Sequence, residues 1–223
     1  MKVEQLIKSS LKELKDISWE NSNATVNQDS RLIFPQYCVG KHKKKKRISE
    51  QEARFLFVLE LEKQNDFYYS VETPTKKSYR FSDKSKKDFS PQICENGQSA
   101  SIDVTLYKYE KNEFIRKHLI EFKFGNVYTC KKDFLKLLCD DEKTNPNFYI
   151  NILENCDIRT LASVVDKFEK SIKHIKDNNN INPNLKILVF IYGENKTNEN
   201  NLIEYEYDFK TDKIIKIINT EKI

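Results

Sequence analysis

Two carboxylates and one amine in this chain are spaced so that they could meet on neighbouring β-strands. Asp103 lies in an apolar stretch, and a second apolar stretch with Glu121 and Lys123 follows a polar turn at residues 109–114. Strand side chains alternate between two faces, so Glu121 and Lys123 share a face, and an antiparallel hairpin would place Asp103 beside Glu121. The other face of the first strand would then carry Ile102, Val104 and Leu106.

These three polar groups together suit the hydrolysis of a phosphate ester. Carboxylate oxygens are ligands that Mg²⁺ prefers, and a bound divalent cation lowers the pKa of a water molecule. An amine beside the cation can position that water or take its proton. The hypothesis is therefore a metal-dependent phosphodiesterase in which Asp103 and Glu121 hold the metal and Lys123 serves the water.

The apolar context distinguishes this Glu-x-Lys from two other occurrences, at residues 13–15 and 194–196. A charged side chain that is buried in an apolar strand without a partner costs several kcal/mol. Such a cost favours a functional site at Glu121 and Lys123. The alternative is an exposed sheet face on which both side chains point to water.

Glu52 is a candidate for a third acidic group of the site. Ser49 and Glu52 form a capping-box pattern, which predicts the start of a helix and gives the glutamate a structural role. Leu56 and Leu59 follow at helical spacing, so Glu52 also begins the apolar stripe that would face the sheet. Glu50 takes this place in the site if the helix is rotated.

The remaining pattern predicts one domain of mixed α and β structure. Apolar residues at helical spacing predict helices over 3–17 and 158–176. The apolar run at 185–192 predicts a strand buried on both faces. Further predicted elements are a strand at 67–73 that ends at Pro74, a loop at 74–98 with a short strand at 79–81, and a C-terminal hairpin at 202–209 and 214–218.

Composition argues against several classes of protein. The 39 basic and 34 acidic residues of the 223-residue chain leave a formal net charge of only +5, which does not by itself mark a nucleic-acid binder. The five cysteines and three histidines show no zinc-ligand spacing, so free thiols in a reducing compartment are expected. The sequence shows no signal peptide and no apolar run that could span a bilayer, so a cytoplasmic location without membrane partners is expected.

The order helix, strand, strand, strand, helix, strand, with an aspartate on the second strand and Glu-x-Lys on the third, resembles the PD-(D/E)XK nuclease superfamily. The resemblance covers residues 49–192, with Ile-Asp103-Val as the first motif and Ile-Glu121-Phe-Lys123 as the second. Ile102 stands in the place of the proline that names the motif. The family implies an α/β (α+β) restriction-endonuclease-like fold, in which a mixed β-sheet is flanked by helices in the core order α-β-β-β-α-β.

The resemblance also implies roles for individual residues. Asp103 and Glu121 would ligate Mg²⁺, for which Mn²⁺ would substitute, and the backbone carbonyl of Phe122 would complete the metal's shell. Lys123 would position or deprotonate the attacking water, with Glu52 assisting. The implied partner is nucleic acid, DNA more than RNA, and the implied activity is that of an endonuclease of restriction, repair or phage-defence type.

Around this core the sequence predicts a single domain over residues 1–223. Residues 1–48 are an N-terminal helical and basic extension, 49–192 are the nuclease-like core, and 193–223 are a C-terminal β-hairpin. A homodimer would allow both strands of a duplex to be cut.

A function of a different class stays open at this point, namely a nucleic-acid-binding or protein-interaction module that keeps the fold without catalysis. Binding would then rely on the release of counterions from phosphates. The binding residues would lie in the basic run at residues 41–47, for which the alternative is a solvated loop. Lys131, Lys132 and Lys136 could also contact a phosphate backbone, and a plain amphipathic helix explains them nearly as well. The predicted nucleic-acid contacts are Lys43, Lys44, Lys45, Lys46 and Arg47.

Overall fold

The structure is a computed structural model that describes residues 2–19, 48–82, 90–125 and 127–217. The helices in these ranges are α1 (Val3–Trp19), α2 (Glu50–Glu62), α3 (Cys130–Cys139) and α4 (Ile158–Asn178), with a 3-10 turn at Val127–Thr129 before α3. The strands are β1 (Tyr68–Arg80), β2 (Gln92–Ile93), β3 (Gln98–Glu110), β4 (Glu113–Phe124), β5 (Asn147–Leu153), β6 (Cys156–Asp157), β7 (Leu185–Ile191), β8 (Asn195–Lys196), β9 (Leu202–Asp208) and β10 (Lys213–Ile217).

A large mixed sheet forms the centre of the fold. Its eight strands lie in the order β10-β9-β7-β5-β4-β3-β1-β2. β4, β5 and β7 run parallel to one another, and the other neighbours are antiparallel. β6 and β8 form a separate short parallel pair. The predicted mixed α and β class is therefore confirmed.

Helices cover both faces of the large sheet. α1 and α2 enclose one core with Leu188 and Phe190 of β7, whereas α3 and α4 enclose the other core with Ile187 and Val189. Consecutive residues of β7 thus enter opposite cores, which confirms the prediction of a strand buried on both faces. Two further elements, α3 and β5, lie in segments for which the sequence predicted neither a helix nor a strand.

The sequence predicts that the first long strand ends at Pro74. In the structure this strand continues to Arg80, so the prediction was wrong. Proline lacks an amide hydrogen and is tolerated in sheets at irregular positions. Pro74 lies opposite Ser101, and the register of β1 on β3 shifts between Pro74 and Ser78. The bulge accommodates the proline, so the predicted loop at 74–98 begins only after the strand.

The regular alternation of β3 is interrupted at Asp103. Ile102 belongs to the core under α3 and α4, whereas Val104 belongs to the core under α1 and α2. The prediction that these two side chains share a face was therefore wrong. β3 leaves the regular ladder at this point, since the side chain of Asp103 and not its backbone bonds the Phe122 amide of β4, and Glu72 on the neighbouring β1 has a left-handed backbone with φ 49°.

The hairpin of β3 and β4 turns at the predicted place. Glu110 pairs with Glu113, and the two residues between them, Lys111 and Asn112, have φ values of 52° and 64°. Positive φ at both central residues is the pattern of a tight hairpin turn that matches the twist of the strands. The register set at this turn is shifted between Leu106 and Tyr107, so an irregularity separates the turn from the end of the hairpin that carries Asp103.

Among the described residues, no helix is long and apolar enough to cross a membrane. Among the described cysteines, Cys94, Cys130, Cys139 and Cys156 are free thiols.

Candidate active site

Asp103 lies where the regular pairing of β3 and β4 ends. The antiparallel register runs as far as Val104 opposite Ile120. At the next position Oδ2 of Asp103 accepts a hydrogen bond of 2.7 Å from the backbone amide of Phe122. The two strands are thus joined here through a side chain, and the carboxylate of Asp103 is placed next to the residue that follows Glu121.

An arginine from α2 approaches the same carboxylate. Nη1 of Arg54 lies 3.3 Å from Oδ1 of Asp103 and also contacts Glu72 of β1. Burial raises the pKa of Asp103 to about 6, although the Phe122 amide and nearby cations oppose the shift. Only 16% of the Asp103 side chain is exposed. Asp103 is therefore a partly protonated, mostly buried acid near pH 6.

Glu121 is buried and is paired with a lysine from α3. Nζ of Lys136 lies 2.5 Å from Oε1 of Glu121, 2.9 Å from the carbonyl oxygen of Ser101 and 3.2 Å from Oδ1 of Asp133. Burial raises the pKa of Glu121, and the Asp133 and Asp103 carboxylates add to this effect while Lys136 opposes it. Burial lowers the pKa of Lys136, but the surrounding carboxylates outweigh burial, and the net shift is upward.

Lys123 lies two residues beyond Glu121 on β4 and is partly exposed. Its ion pair is with Glu50 at the start of α2, at 3.9 Å, and 24% of the lysine side chain is exposed. The negative charge of Glu50 also contributes to the raised pKa of Asp103. Asp103 therefore lies close enough to Glu121 for its charge to raise the pKa of Glu121, and Lys123 lies two residues farther along β4, next to Glu50.

The side chain of Glu52 accepts hydrogen bonds at the start of α2. Its Oε2 accepts a hydrogen bond of 2.7 Å from the Ser49 amide and a second bond from the Ser49 hydroxyl. These contacts form the predicted capping box, which satisfies a backbone donor at the helix start. Of the two glutamates considered for the third acidic place, Glu50 is the one that contacts Lys123.

Unpartnered polar atoms lie on the strand beside the site. In the parallel register of β4 and β5, Tyr149 pairs with Glu121 and Asn151 pairs with Lys123. Among the described residues, the Tyr149 hydroxyl, Oδ1 of Asn151 and Oδ2 of Asp133 are buried without a hydrogen-bond partner. Buried polar atoms in folded proteins normally have protein or water partners. This side of the site therefore has unused capacity to bind water or polar ligand atoms.

Sequence reasoning missed Arg54, Asp133 and Lys136 as members of the site. A signal exists for the residues of α3, because Asp133 and Lys136 stand among buried apolar neighbours such as Phe134 and Leu137. A charged residue on the buried side of an amphipathic helix calls for a buried partner of opposite charge. No comparable signal marks Arg54, since its partners Glu72 and Asp103 are distant in sequence.

The predicted nucleic-acid contacts lie outside the described residues. These are Lys43, Lys44, Lys45, Lys46 and Arg47.

The donor atoms fit a hard divalent cation. The Asp103 and Glu121 carboxylates and the Phe122 carbonyl are oxygen ligands of the kind that Mg²⁺ takes. Within the described ranges, no three His, Cys, Asp or Glu side chains are grouped closely enough to hold a metal by themselves. A cation at this place would therefore depend on two carboxylates together with backbone or water oxygens.

No protein-family model, curated protein or solved structure matches this chain. The argument for function therefore rests on the geometry and chemistry of the site.

Proposed function

We propose that this protein is a metal-dependent nuclease of the PD-(D/E)XK type, with a restriction-endonuclease-like core that hydrolyses phosphodiester bonds in DNA. One observation supports this above all. The Asp103 carboxylate bonds the amide of Phe122, directly after Glu121, at the point where β3 and β4 cease to pair. Two acids from two strands are thereby close to each other, with Lys123 two residues beyond Glu121, and this residue set suits phosphate hydrolysis with a bound metal ion.

Asp103, Glu121 and the Phe122 carbonyl would hold Mg²⁺, or Mn²⁺ in its place. The cation would lower the pKa of a bound water and polarise the phosphate. Arg54 compensates part of the charge at Asp103, and Lys136 compensates that at Glu121. A divalent cation at this place would therefore compete with Arg54 and Lys136 for the two carboxylates.

Lys123 acts on the attacking water. Because its side chain is partly exposed and is paired only loosely with Glu50, its ammonium can reach solvent and a substrate phosphate. The water oxygen forms a bond to phosphorus, the ester P–O bond breaks, and the leaving oxygen acquires a proton from solvent. As an ammonium, Lys123 orients the water, whose proton passes to solvent; only as a neutral amine would Lys123 take that proton itself.

A second candidate function is a binding module without catalysis. The ammonium of Lys136 already supplies a cation to Glu121 and Asp133 inside the protein. Charge balance at Glu121 is thus partly achieved by the chain itself, as in a structural ion pair. In such a protein the basic residues at 43–47 would bind nucleic acid, and no cleavage would follow.

A nuclease assay distinguishes the two functions. Wild type is incubated with supercoiled, linear and single-stranded DNA and with RNA, in Mg²⁺, Mn²⁺ or EDTA. Asp103→Ala and Lys123→Ala are compared with Lys170→Ala, a control that removes an exposed lysine paired with Asp166 on α4. Circular dichroism and thermal unfolding verify that each variant is folded.

Cleavage that needs a divalent cation, persists in Lys170→Ala and is lost in both site variants is the expected result. Cleavage that persists in Asp103→Ala would contradict the assigned site. If wild type cleaves no substrate and calorimetry detects no Asp103-dependent binding of Mn²⁺, the nuclease is rejected in favour of the binding module.

A further inference from the structure

A basic and aromatic surface adjoins the proposed site at the junction of β4, α3 and α4. We call it the basic–aromatic patch and define it as Tyr128, Lys131, Lys132 and Lys167. Tyr128 lies in the 3-10 turn that follows β4 and is 78% exposed. Lys131 and Lys132 lie in the first turn of α3, and Lys167 lies on α4.

The three lysines of the patch contact neutral groups. Nζ of Lys167 lies 4.4 Å from the centre of the Tyr128 ring, and Nζ of Lys132 lies 5.4 Å from that of Phe81. Nζ of Lys131 donates to the Ser90 hydroxyl at 2.9 Å. Within the described part of the chain, none of the three forms an ion pair with a carboxylate. Their positive charges are therefore available to an anion from outside.

Neighbouring lysines on α4 differ in this respect. Lys170 is paired with Asp166, and Lys173 and Lys176 are paired with Asp212. A lysine that is already paired with a carboxylate attracts a phosphate less strongly, because the carboxylate repels the phosphate. The patch thus stands out by positive charge that no carboxylate of the described residues compensates, rather than by its number of lysines.

The patch continues from the proposed catalytic residues. Lys132 and Lys136 are four residues apart and lie on the same side of α3, separated by about 6 Å along the helix axis. The inner lysine, Lys136, bonds Glu121 at 2.5 Å. The outer lysine, Lys132, therefore lies one turn farther from the acids, in the direction of Tyr128.

We propose that the basic–aromatic patch binds a single nucleic-acid strand, with its lysines against phosphates and the Tyr128 ring stacked on a base. Stacking on an exposed aromatic ring requires an unpaired base, so the geometry favours a single strand over an intact duplex. Because the Lys167 ammonium lies over one face of the Tyr128 ring, a base would stack on the other face, with Lys167 near enough to attract the adjoining phosphate. This inference rests on the proposed function for its class of ligand, but it concerns binding and does not require cleavage.

Binding is measured by fluorescence anisotropy with a labelled 20-nucleotide single-stranded DNA and the matching duplex, in EDTA so that no cleavage occurs. The variants are Lys131→Gln/Lys132→Gln/Lys167→Gln and Tyr128→Ala. The control, Lys210→Gln/Lys213→Gln/Lys216→Gln, removes the same number of charges from the C-terminal hairpin of β9 and β10. Thermal unfolding verifies that all proteins are folded.

The triple patch variant should bind the single strand at least tenfold more weakly than wild type, and the slope of log K against log salt should become shallower by about 2. Tyr128→Ala should weaken single-strand binding about tenfold with an unchanged slope, and should change duplex binding less. The control should stay within threefold of wild type.

Patch variants that bind as well as the control would overturn the inference and leave the nuclease proposal intact. Binding at the patch by a protein that cleaves nothing would support the inference while the nuclease proposal fails. A wild-type protein that binds neither DNA substrate would overturn the inference outright, and the cleavage assay would then decide the nuclease proposal separately.

Discussion

Nζ of Lys136 on α3 lies 2.5 Å from Oε1 of Glu121 on β4, and both side chains are almost completely buried. The same ammonium donates to the carbonyl of Ser101 on β3. One lysine from a helix thereby connects both strands beside the point at which they separate. This contact fixes the position of Glu121, and hence the shape of the proposed metal site, from the side opposite to α2.

Replacing Lys136 with methionine should destabilise the protein strongly. Removing one partner of a buried ion pair leaves the other charge without compensation, which costs about 3–5 kcal/mol. Lys136→Arg keeps the charge and should lose less. The free energy of unfolding is measured by urea denaturation at pH 7.5, with Lys132→Met on the same helix as the control. A loss in Lys136→Met no greater than that of the control would mean that the contact contributes little.

Asp103 should make the protein less stable as the pH rises from about 4 to 7. Its pKa is 3.8 unfolded and about 6 folded, so the folded state binds more protons in this range and stability decreases as the proton is lost. A shift of this size corresponds to about 3 kcal/mol at full ionisation. Asp103→Asn keeps an acceptor for the Phe122 amide and removes the titration.

We therefore expect Asp103→Asn to equal wild type in stability near pH 4 and to exceed it by about 1–3 kcal/mol at pH 7.5. Urea denaturation at five pH values measures this difference. Asp177→Asn, at an exposed position on α4, is the control and should show no such divergence. A difference between Asp103→Asn and wild type that is constant across the pH range would contradict the raised pKa.

Lys123→Met should reduce cleavage without affecting folding. Positioning or deprotonation of the water by a side chain contributes about 10²–10⁴-fold to a rate, so kcat should decrease at least a hundredfold. Because Lys123 is partly exposed and contacts Glu50 only at 3.9 Å, the free energy of unfolding should change by no more than about 0.5 kcal/mol. Kinetics at saturating Mg²⁺ and urea denaturation provide the two measurements.

Lys117→Met is the control on the same strand, since Lys117 is paired with Glu110 at the far end of the hairpin. It should retain the kcat of wild type. If Lys123→Met also retains full activity, Lys123 has no role in the chemistry, and the assignment of the water to this lysine is wrong.

Glu52→Ala should reduce stability more than activity. Loss of a helix cap costs about 0.5–2 kcal/mol, and Glu52 accepts a bond from the Ser49 amide at 2.7 Å. Glu50→Ala, two residues away, removes the partner of Lys123 and should affect kcat more than stability. Parallel thermal unfolding and cleavage assays separate the two effects. A loss of kcat in Glu52→Ala but not in Glu50→Ala would mean that Glu52, and not Glu50, takes part in the chemistry.

Rules that use only residues close in sequence were sufficient to predict the turn of the hairpin that carries Asp103 and Glu121. A polar turn between two alternating stretches predicts an antiparallel pair, and the turn residues Lys111 and Asn112 adopt the backbone that such a turn needs. The capping box at Ser49 and Glu52 is likewise a contact within one helical turn. Predictions of this kind depend on residues that are close in sequence.

The same rules were wrong where neighbouring strands decide the outcome. Pro74 ends a strand by propensity, yet the bulge of β1 on β3 absorbs it. Ile102 and Val104 should share a face by alternation, yet they lie in different cores where the Asp103 side chain bonds the Phe122 amide. In both cases the irregularity involves a neighbouring strand that no rule based on nearby residues takes into account.

The sequence by itself determined the hairpin turn, the helix cap and the strand buried on both faces, because each follows from periodicity or from contacts within a few residues. The register that places Asp103 near Glu121 depends on a shift between Leu106 and Tyr107 that no local pattern predicted. Only the tertiary structure decided that Lys136 compensates Glu121 and that Arg54 reaches Asp103. The physical reason is that a buried charge must find a partner wherever the folded chain supplies one. That choice depends on how helices lie on the sheet, and no spacing along the chain encodes it.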